Sequence, residues 1–345
     1  MKSYGLRCID ALVISLVVLL SSTGVAATPT FDRIIVFGDS LSDIGNDLIL
    51  SREEFLVEIQ IPPPERYTDG RFSNGSVWVE QLAKYLDIKE RKFFASRDTK
   101  LDLDKGHSVS YAYGGSGTFA ENDTPSSQLF PSLRVSGLLG QVADFANDIG
   151  AIADSEALYV LWSGANDYLL PLGTWGIPYP PSPESTVENI VTAIDELHTL
   201  GARHFLVLNL PDLGNIPLTT LFGPEAQAAF SQFTELHNAA LLEQLKLSSE
   251  KYADSSIYHV DVYSLFSVIA DNPHVFGFTN TFTDLGPASN CLISLFPGQD
   301  CSELPDGLDA GGSVFWDSQH PTAALHRYIG LKAYLCLSFL GICRL

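Results

Sequence analysis

A chain of 345 residues, 46% hydrophobic and 11% aromatic, can bury a large core, which excludes an intrinsically disordered protein. Its 20 Lys and Arg stand against 41 Asp and Glu, for a formal net charge of -21. A field of that sign repels nucleic acid and anionic membrane surfaces, so neither is an expected partner.

The first 27 residues stand apart from the rest. Lys2 and Arg7 give a positive start, 11–20 is an apolar run, and Val25, Ala26 and Ala27 close it with small residues. This is the pattern of a secretory signal peptide cleaved near Ala27. The run is short for a membrane span, so no stable anchor is expected. Residues 28–345 are then the mature, extracellular protein, read as a single domain. Secretion gives the cysteines a meaning. Cys8 leaves with the signal, and Cys291, Cys301, Cys336 and Cys343 remain. An even number in a secreted chain predicts two disulfides, and Cys291–Cys301 and Cys336–Cys343 are the expected pairs because each closes a short loop. The spacings are not those of a zinc site. Asn74-Gly75-Ser76 and Asn122-Asp123-Thr124 are glycosylation sequons.

Five short apolar segments read as buried strands: 33–37, 108–113, 157–162, 204–209 and 257–262. Helical patterns lie between them at 77–86, 135–149, 184–200 and 224–251, and a last one at 322–340 closes the chain. Ser182 is placed to cap the third helix, with Pro183 in its first turn. Strands alternating with helices predict a parallel sheet covered on both faces. In such folds ligands collect at the carboxyl ends of the strands. Long Pro- and Gly-containing loops are expected at 62–64, 171–183 and 279–312.

Four segments fall where chemistry is expected: Gly38-Asp39-Ser40-Leu41, Tyr113-Gly114-Gly115-Ser116-Gly117, Gly164-Ala165-Asn166-Asp167 and, before the last helix, Asp317-Ser318-Gln319-His320-Pro321. A serine hydroxyl is a weak nucleophile. It needs a histidine to take its proton, a carboxylate to orient that histidine, and donors for the charge that develops on the attacked carbonyl. Ser40 supplies the hydroxyl at a strand-to-helix turn, with a helix behind it expected to aim N–H groups at the site. Gly115 can supply a backbone N–H and Asn166 a side-chain N–H. Asp317 and His320, three residues apart, can touch on one turn. Each piece alone also reads as a turn or a helix cap. It is their joint occurrence, in order, that argues for a site. Asp39 and Asp43, flanking Ser40, read as loop-holding residues. Trp162 and Trp316 read as packing, with Trp316 close enough to Asp317 to line a pocket. His107, His204, His237, His259 and His274 share no spacing with carboxylates that suits a metal.

The blocks "FGDSLSDIGN", "YAYGGSGT", "GANDY" and "DSQHP" resemble those of the GDSL-type esterases and lipases of the SGNH hydrolase superfamily, and "DGRFSNG" at 69–75 resembles a further stretch of its eukaryotic and haemolysin-like members. The resemblance runs from about Arg33 to the last helix. It implies a flavodoxin-like three-layer α/β/α sandwich on a five-stranded parallel sheet. It implies Ser40 as nucleophile, His320 as base with Asp317 behind it, and Gly115 and Asn166 as oxyanion donors beside the Ser40 backbone; of Gly114 and Gly115, the second is the chosen donor. No cofactor is implied. The expected substrate is a soluble or carbohydrate ester. A lipid ester, or a non-catalytic secreted binding protein on the same fold, is the alternative.

Overall fold

The computed structural model of the protein describes residues 30–54, 60–88, 93–102, 105–120, 135–150, 152–169, 181–284, 286, 312–338 and 342–345. The predicted signal segment, Asn122, Cys291 and Cys301 lie outside the described residues.

The elements run β1 (Ile34–Gly38), α1 (Asn46–Glu54), α2 (Trp78–Tyr85), β2 (Phe93–Ala95), β3 (Ser108–Ser110), α3 (Leu138–Ile149), β4 (Leu158–Trp162), α4 (Ala165–Leu169), α5 (Pro183–Leu200), β5 (His204–Leu208), α6 (Pro217–Thr220), α7 (Pro224–Lys251), β6 (Ser256–Val260), α8 (Val262–Asp271) and α9 (Ala323–Ser338). The strands form one parallel sheet in the order β2-β3-β1-β4-β5-β6. All five expected strands are present, but the sheet has six. The added strand, β2, is three residues long and pairs only with β3 at the edge. So short an edge strand follows a charged stretch and has no apolar run to announce it. Without β2, the order is the doubly wound pattern whose switch point falls at the carboxyl end of β1.

Both faces of the sheet are buried, which is why its central strands β1 and β4 are apolar at every position rather than at alternate ones. Ile34 and Val36 of β1 pack on the face that carries Trp78 and Leu82 of α2 and Leu325 and Ile329 of α9. Ile35 and Phe37 pack on the other face, against Leu138 and Phe145 of α3 and Ile190 and Ile194 of α5. The expected cap of α5 is in place: Ser182 Oγ accepts the Ser185 N–H at 3.2 Å, with Pro183 in the first turn. The strand expected over 257–262 ends at Val260, because Asp261 accepts the Ser264 N–H and starts α8.

The free edge of β6 is closed by the end of the chain. His259 N–H donates to Cys343 O and Leu345 N–H to Ile257 O, at 2.8 and 3.0 Å. The expected Cys336–Cys343 disulfide ties that tail to α9. An edge paired in this way offers no template to another chain.

Candidate active site

β1 delivers the first component. β3 pairs with it only as far as Val36, whereas β4 follows it to Gly38. Past Val36 the chain after β3 still gives Gly38 O the Tyr113 N–H, at 3.3 Å, but offers the Gly38 N–H no backbone acceptor, and a buried N–H cannot be left unpaired. Gln141, fully buried on α3, fills the place: Gly38 N–H donates to its Oε1, and its Nε2 donates to Gly38 O, both at 2.8 Å. The chain then makes one tight turn, with the N–H groups of Ser42 and Asp43 both donating to Asp39 O at 3.0 Å. Ser40 sits on that turn.

The helix expected directly behind Ser40 starts only at Asn46. Asp43 intervenes, accepting the N–H groups of Gly45 and Asn46 at 2.7 Å and of Asp47 at 3.2 Å. Asp39 Oδ1 accepts the Leu41 N–H at 3.0 Å. Both carboxylates thus hold the loop, as expected of them.

The second component arrives from the far end of the chain. Phe315 and Pro321 face each other across an antiparallel bridge, and Trp316 N–H donates to His320 O at 2.7 Å. Asp317 and His320 therefore lie on one tight hairpin. His320 Nε2 is 2.8 Å from Ser40 Oγ, and His320 Nδ1 is 2.7 Å from Asp317 Oδ2. Asp317 is fully buried, and Ser40 and His320 are only 6% and 3% exposed.

The third component comes from the ends of β3 and β4. Asn166 Nδ2 donates one N–H to Ser116 O at 3.0 Å, which fixes the amide with its second N–H to spare. The Gly114 N–H is engaged by the carboxylates of Asp43 and Asp47. A side chain at Gly114 would run into the Phe72 ring and Asp47 Oδ2. Gly115 turns the chain with φ 71°, a value that favours glycine. Ser40, Asn166 and His320 open together onto a cavity of about 40 Å³. Apolar side chains, among them Trp162, Leu210, Leu213, Ile216, Phe266 and Phe315, form its walls.

Both tryptophans pack as expected, Trp162 against Trp78 and Trp316 against Tyr67, but the one that lines the cavity is not the one expected. Trp162 lines the cavity, with its Nε1 on Asn209 O at 3.1 Å. Trp316 points elsewhere, edge-on to Tyr67, and Phe315 takes the wall position. Among the described residues no group of three or more His, Cys, Asp or Glu is placed to hold a metal ion. His237 is instead a core residue: its Nδ1 meets the Tyr168 hydroxyl at 2.9 Å, and burial pushes it down to about 3. Sequence reasoning missed Gln141 and Tyr67. Gln141 was detectable as a polar residue on the apolar stripe of Leu138, Val142 and Phe145. Tyr67 carried no local signal.

A family model for GDSL-like lipases/acylhydrolases matches residues 34–333. The chain belongs to that family and is a carboxylic ester hydrolase. It is 28% identical to one GDSL esterase/lipase of Arabidopsis thaliana over 90% of this chain and 92% of the relative, and 27% identical to a second over 84% of each. It is 25% identical to a phosphatidylcholine-sterol acyltransferase of Aeromonas hydrophila over 90% of this chain and 91% of the relative.

Several carboxylates around the site are buried. Burial raises Asp39 to about 6 against the pull of the Leu41 N–H and His320, and raises Asp167 to about 7 against its bonds from Thr118. A carboxyl that holds its proton more tightly when folded stabilises the protein most below its ordinary value of 3.8, and that contribution is lost as pH rises through 6. Asp39→Asn does not titrate. Its stability relative to wild type should therefore climb between pH 4 and pH 8, by at most about 3 kcal/mol. Thermal unfolding of both proteins across that range measures it, and a constant difference would refute the assignment.

Proposed function

We propose that the protein is a secreted esterase that removes short acyl groups from soluble or carbohydrate esters through an acyl-enzyme on Ser40. The observation that carries this reading is the line of hydrogen bonds from Ser40 Oγ through His320 to the buried Asp317.

Ser40 Oγ attacks the ester carbonyl carbon and passes its proton to His320 Nε2. The carbonyl oxygen becomes an oxyanion, held by the Gly115 and Ser40 backbone N–H groups and by the second Nδ2 hydrogen of Asn166. The C–O bond to the leaving alcohol breaks, and that oxygen takes the proton from His320. A water then attacks the acyl carbon, gives a proton to His320 Nε2, and the carboxylic acid leaves as Ser40 recovers its hydrogen. Asp317 holds the imidazole with Nδ1 protonated throughout. Residues 28–345 make up the domain that does this, with no cofactor.

The cavity supports the short-acyl part of the reading. Its volume corresponds to about three waters, which favours a short acyl chain over a long one. The disulfide at Cys336 and Cys343 and the leader-like residues 1–27 support secretion. Among the described residues no helix is long and apolar enough to cross a membrane. The name of the acyltransferase relative, which points to a lipid ester, makes long-chain lipid esters the second reading.

Ser40→Ala should fold normally and lose about three orders of magnitude or more of hydrolysis. Retention of more than about a tenth of the rate would remove Ser40 from the nucleophile's role. On p-nitrophenyl esters, kcat/KM should peak between acetate and butyrate and fall at least about tenfold by octanoate, because each methylene that the cavity excludes stays in water. A maximum at octanoate or beyond would favour the lipid reading. Protein recovered from the medium should begin at Thr28 by N-terminal sequencing.

A further inference from the structure

The segment that contains "DGRFSNG" has no part in the chemistry above, yet it meets the stretch from the Asp317–His320 hairpin to the start of α9 at four successive points. The Tyr67 hydroxyl donates to Asp317 Oδ2 at 2.8 Å. The Phe72 ring lies against the His320 imidazole, with centroids 5.1 Å apart. Ser73 Oγ donates to Pro321 O at 2.9 Å, and Asn74 Oδ1 accepts the Ala323 N–H at 2.8 Å. The segment is itself braced. Thr68 N–H donates to Ser73 O, and Arg71 bonds Asp69 O while pairing with Glu80 of α2.

We infer that Tyr67 is a positioning residue for this site: its hydroxyl shares Asp317 Oδ2 with the His320 ring and so sets how strongly the carboxylate holds a proton on the imidazole. Asp317 receives four hydrogen bonds. The N–H groups of Gln319 and His320 go to Oδ1, at 2.8 and 2.7 Å, and His320 Nδ1 goes to Oδ2. Those three come from its own hairpin. Tyr67 supplies the fourth from 250 residues away, and it is only 2% exposed. A fully buried carboxylate depends on such donors for its charge to be tolerated.

The direction of the effect follows from charge. A hydroxyl donated to Oδ2 draws off part of the negative charge that would otherwise favour the imidazolium. Among the described residues, the titratable groups that interact with His320 besides Asp317 are Asp39, across the Ser40 turn, and His326, in the first turn of α9. His326 is buried and pushed down to about 3, so it stays neutral; its Nδ1 accepts the Trp78 N–H at 3.2 Å. Asp39 is the same in wild type and in a Tyr67 variant, so it cancels in the comparison.

Tyr67→Phe keeps the ring and deletes only the donor. Asp317 Oδ2 then belongs to His320 alone, and the imidazole should keep its proton to higher pH. The acid limb of the kcat/KM profile should move up by about half a pH unit or more. The plateau of kcat should fall roughly tenfold through looser ring orientation, with KM little changed. Ser73→Ala is the comparison: it cuts a tie to the same hairpin without touching Asp317, so it should lower Tm and leave the limb in place.

This inference rests on the proposed roles of His320 and Asp317, and a second readout separates it from the esterase assignment. Proton uptake by His320 can be followed through its labelled imidazole carbon by NMR, assigned against His320→Gln, with no substrate present. An upward shift in Tyr67→Phe but not in Ser73→Ala supports the inference even in a protein that cleaves no ester tested. An unmoved titration in folded Tyr67→Phe, or an equal shift in both variants, overturns it.

Discussion

A carboxylate with no contact with solvent has to find hydrogen bonds inside the protein, and much of the site's geometry follows from how Asp317 finds them. An isolated charge in an apolar interior costs far more than any single contact returns. Asp317 is satisfied by a tight hairpin that folds its own backbone N–H groups onto Oδ1, by the His320 ring and by the Tyr67 hydroxyl. These requirements leave the imidazole little freedom. Its Nδ1 is committed to the carboxylate, so Nε2 must face the other way, towards Ser40 at 2.8 Å.

The sheet supplies the complementary constraint. Ser40 follows the strand at which the doubly wound order reverses, where neighbours on the two sides part company. That divergence opens space at the carboxyl end of β1, and it also leaves the Gly38 N–H without a backbone acceptor. Gln141 resolves the second problem without closing the first, because it reaches in from α3 rather than extending β3. The start of α4, directly after β4, then brings Asn166 to the same opening. A cavity with apolar walls and a polar floor results from topology, before any residue is assigned a role in chemistry.

How much of this could be read from the sequence depended on the range of the interaction. β1, β4, β5 and β6 were legible because burial on both faces makes them largely apolar runs of five residues, and β3, three residues long, was legible through the apolar Tyr111, Ala112 and Tyr113 that follow it. β2 was not, since three residues at an edge carry no pattern. α1 was expected behind Ser40 but its bounds were not legible: Asn46, Asp47 and Ser51 are among its buried residues, so it shows no apolar stripe. Asn46 is buried because its side chain joins Ser110 O, Ala112 O and the Arg97 N–H, ties known only once the sheet exists. α8 was hidden by Asp261, which ends a strand and caps a helix within one residue. Ser40, Asp317 and His320 were visible because each stands in a short, chemically unusual block. Tyr67 could not be seen, because its one telling contact spans 250 residues.

The carboxylates beside Ser40 pose a problem that the same burial partly resolves. A negative charge that forms on a substrate oxygen is opposed by every ionised acid nearby, and water cannot screen them here. Asp39 adjoins the nucleophile, and Asp167 follows Asn166 directly. Were both ionised at all working pH values, they would work against the N–H groups that face the oxyanion. Burial instead raises them to about 6 and about 7. In mildly acidic surroundings each therefore spends much of its time neutral, while its hydrogen bonds to Leu41 or Thr118 still hold the loop. The desolvation that costs the folded protein stability at higher pH thus removes opposing charge from the place where the reaction would build it.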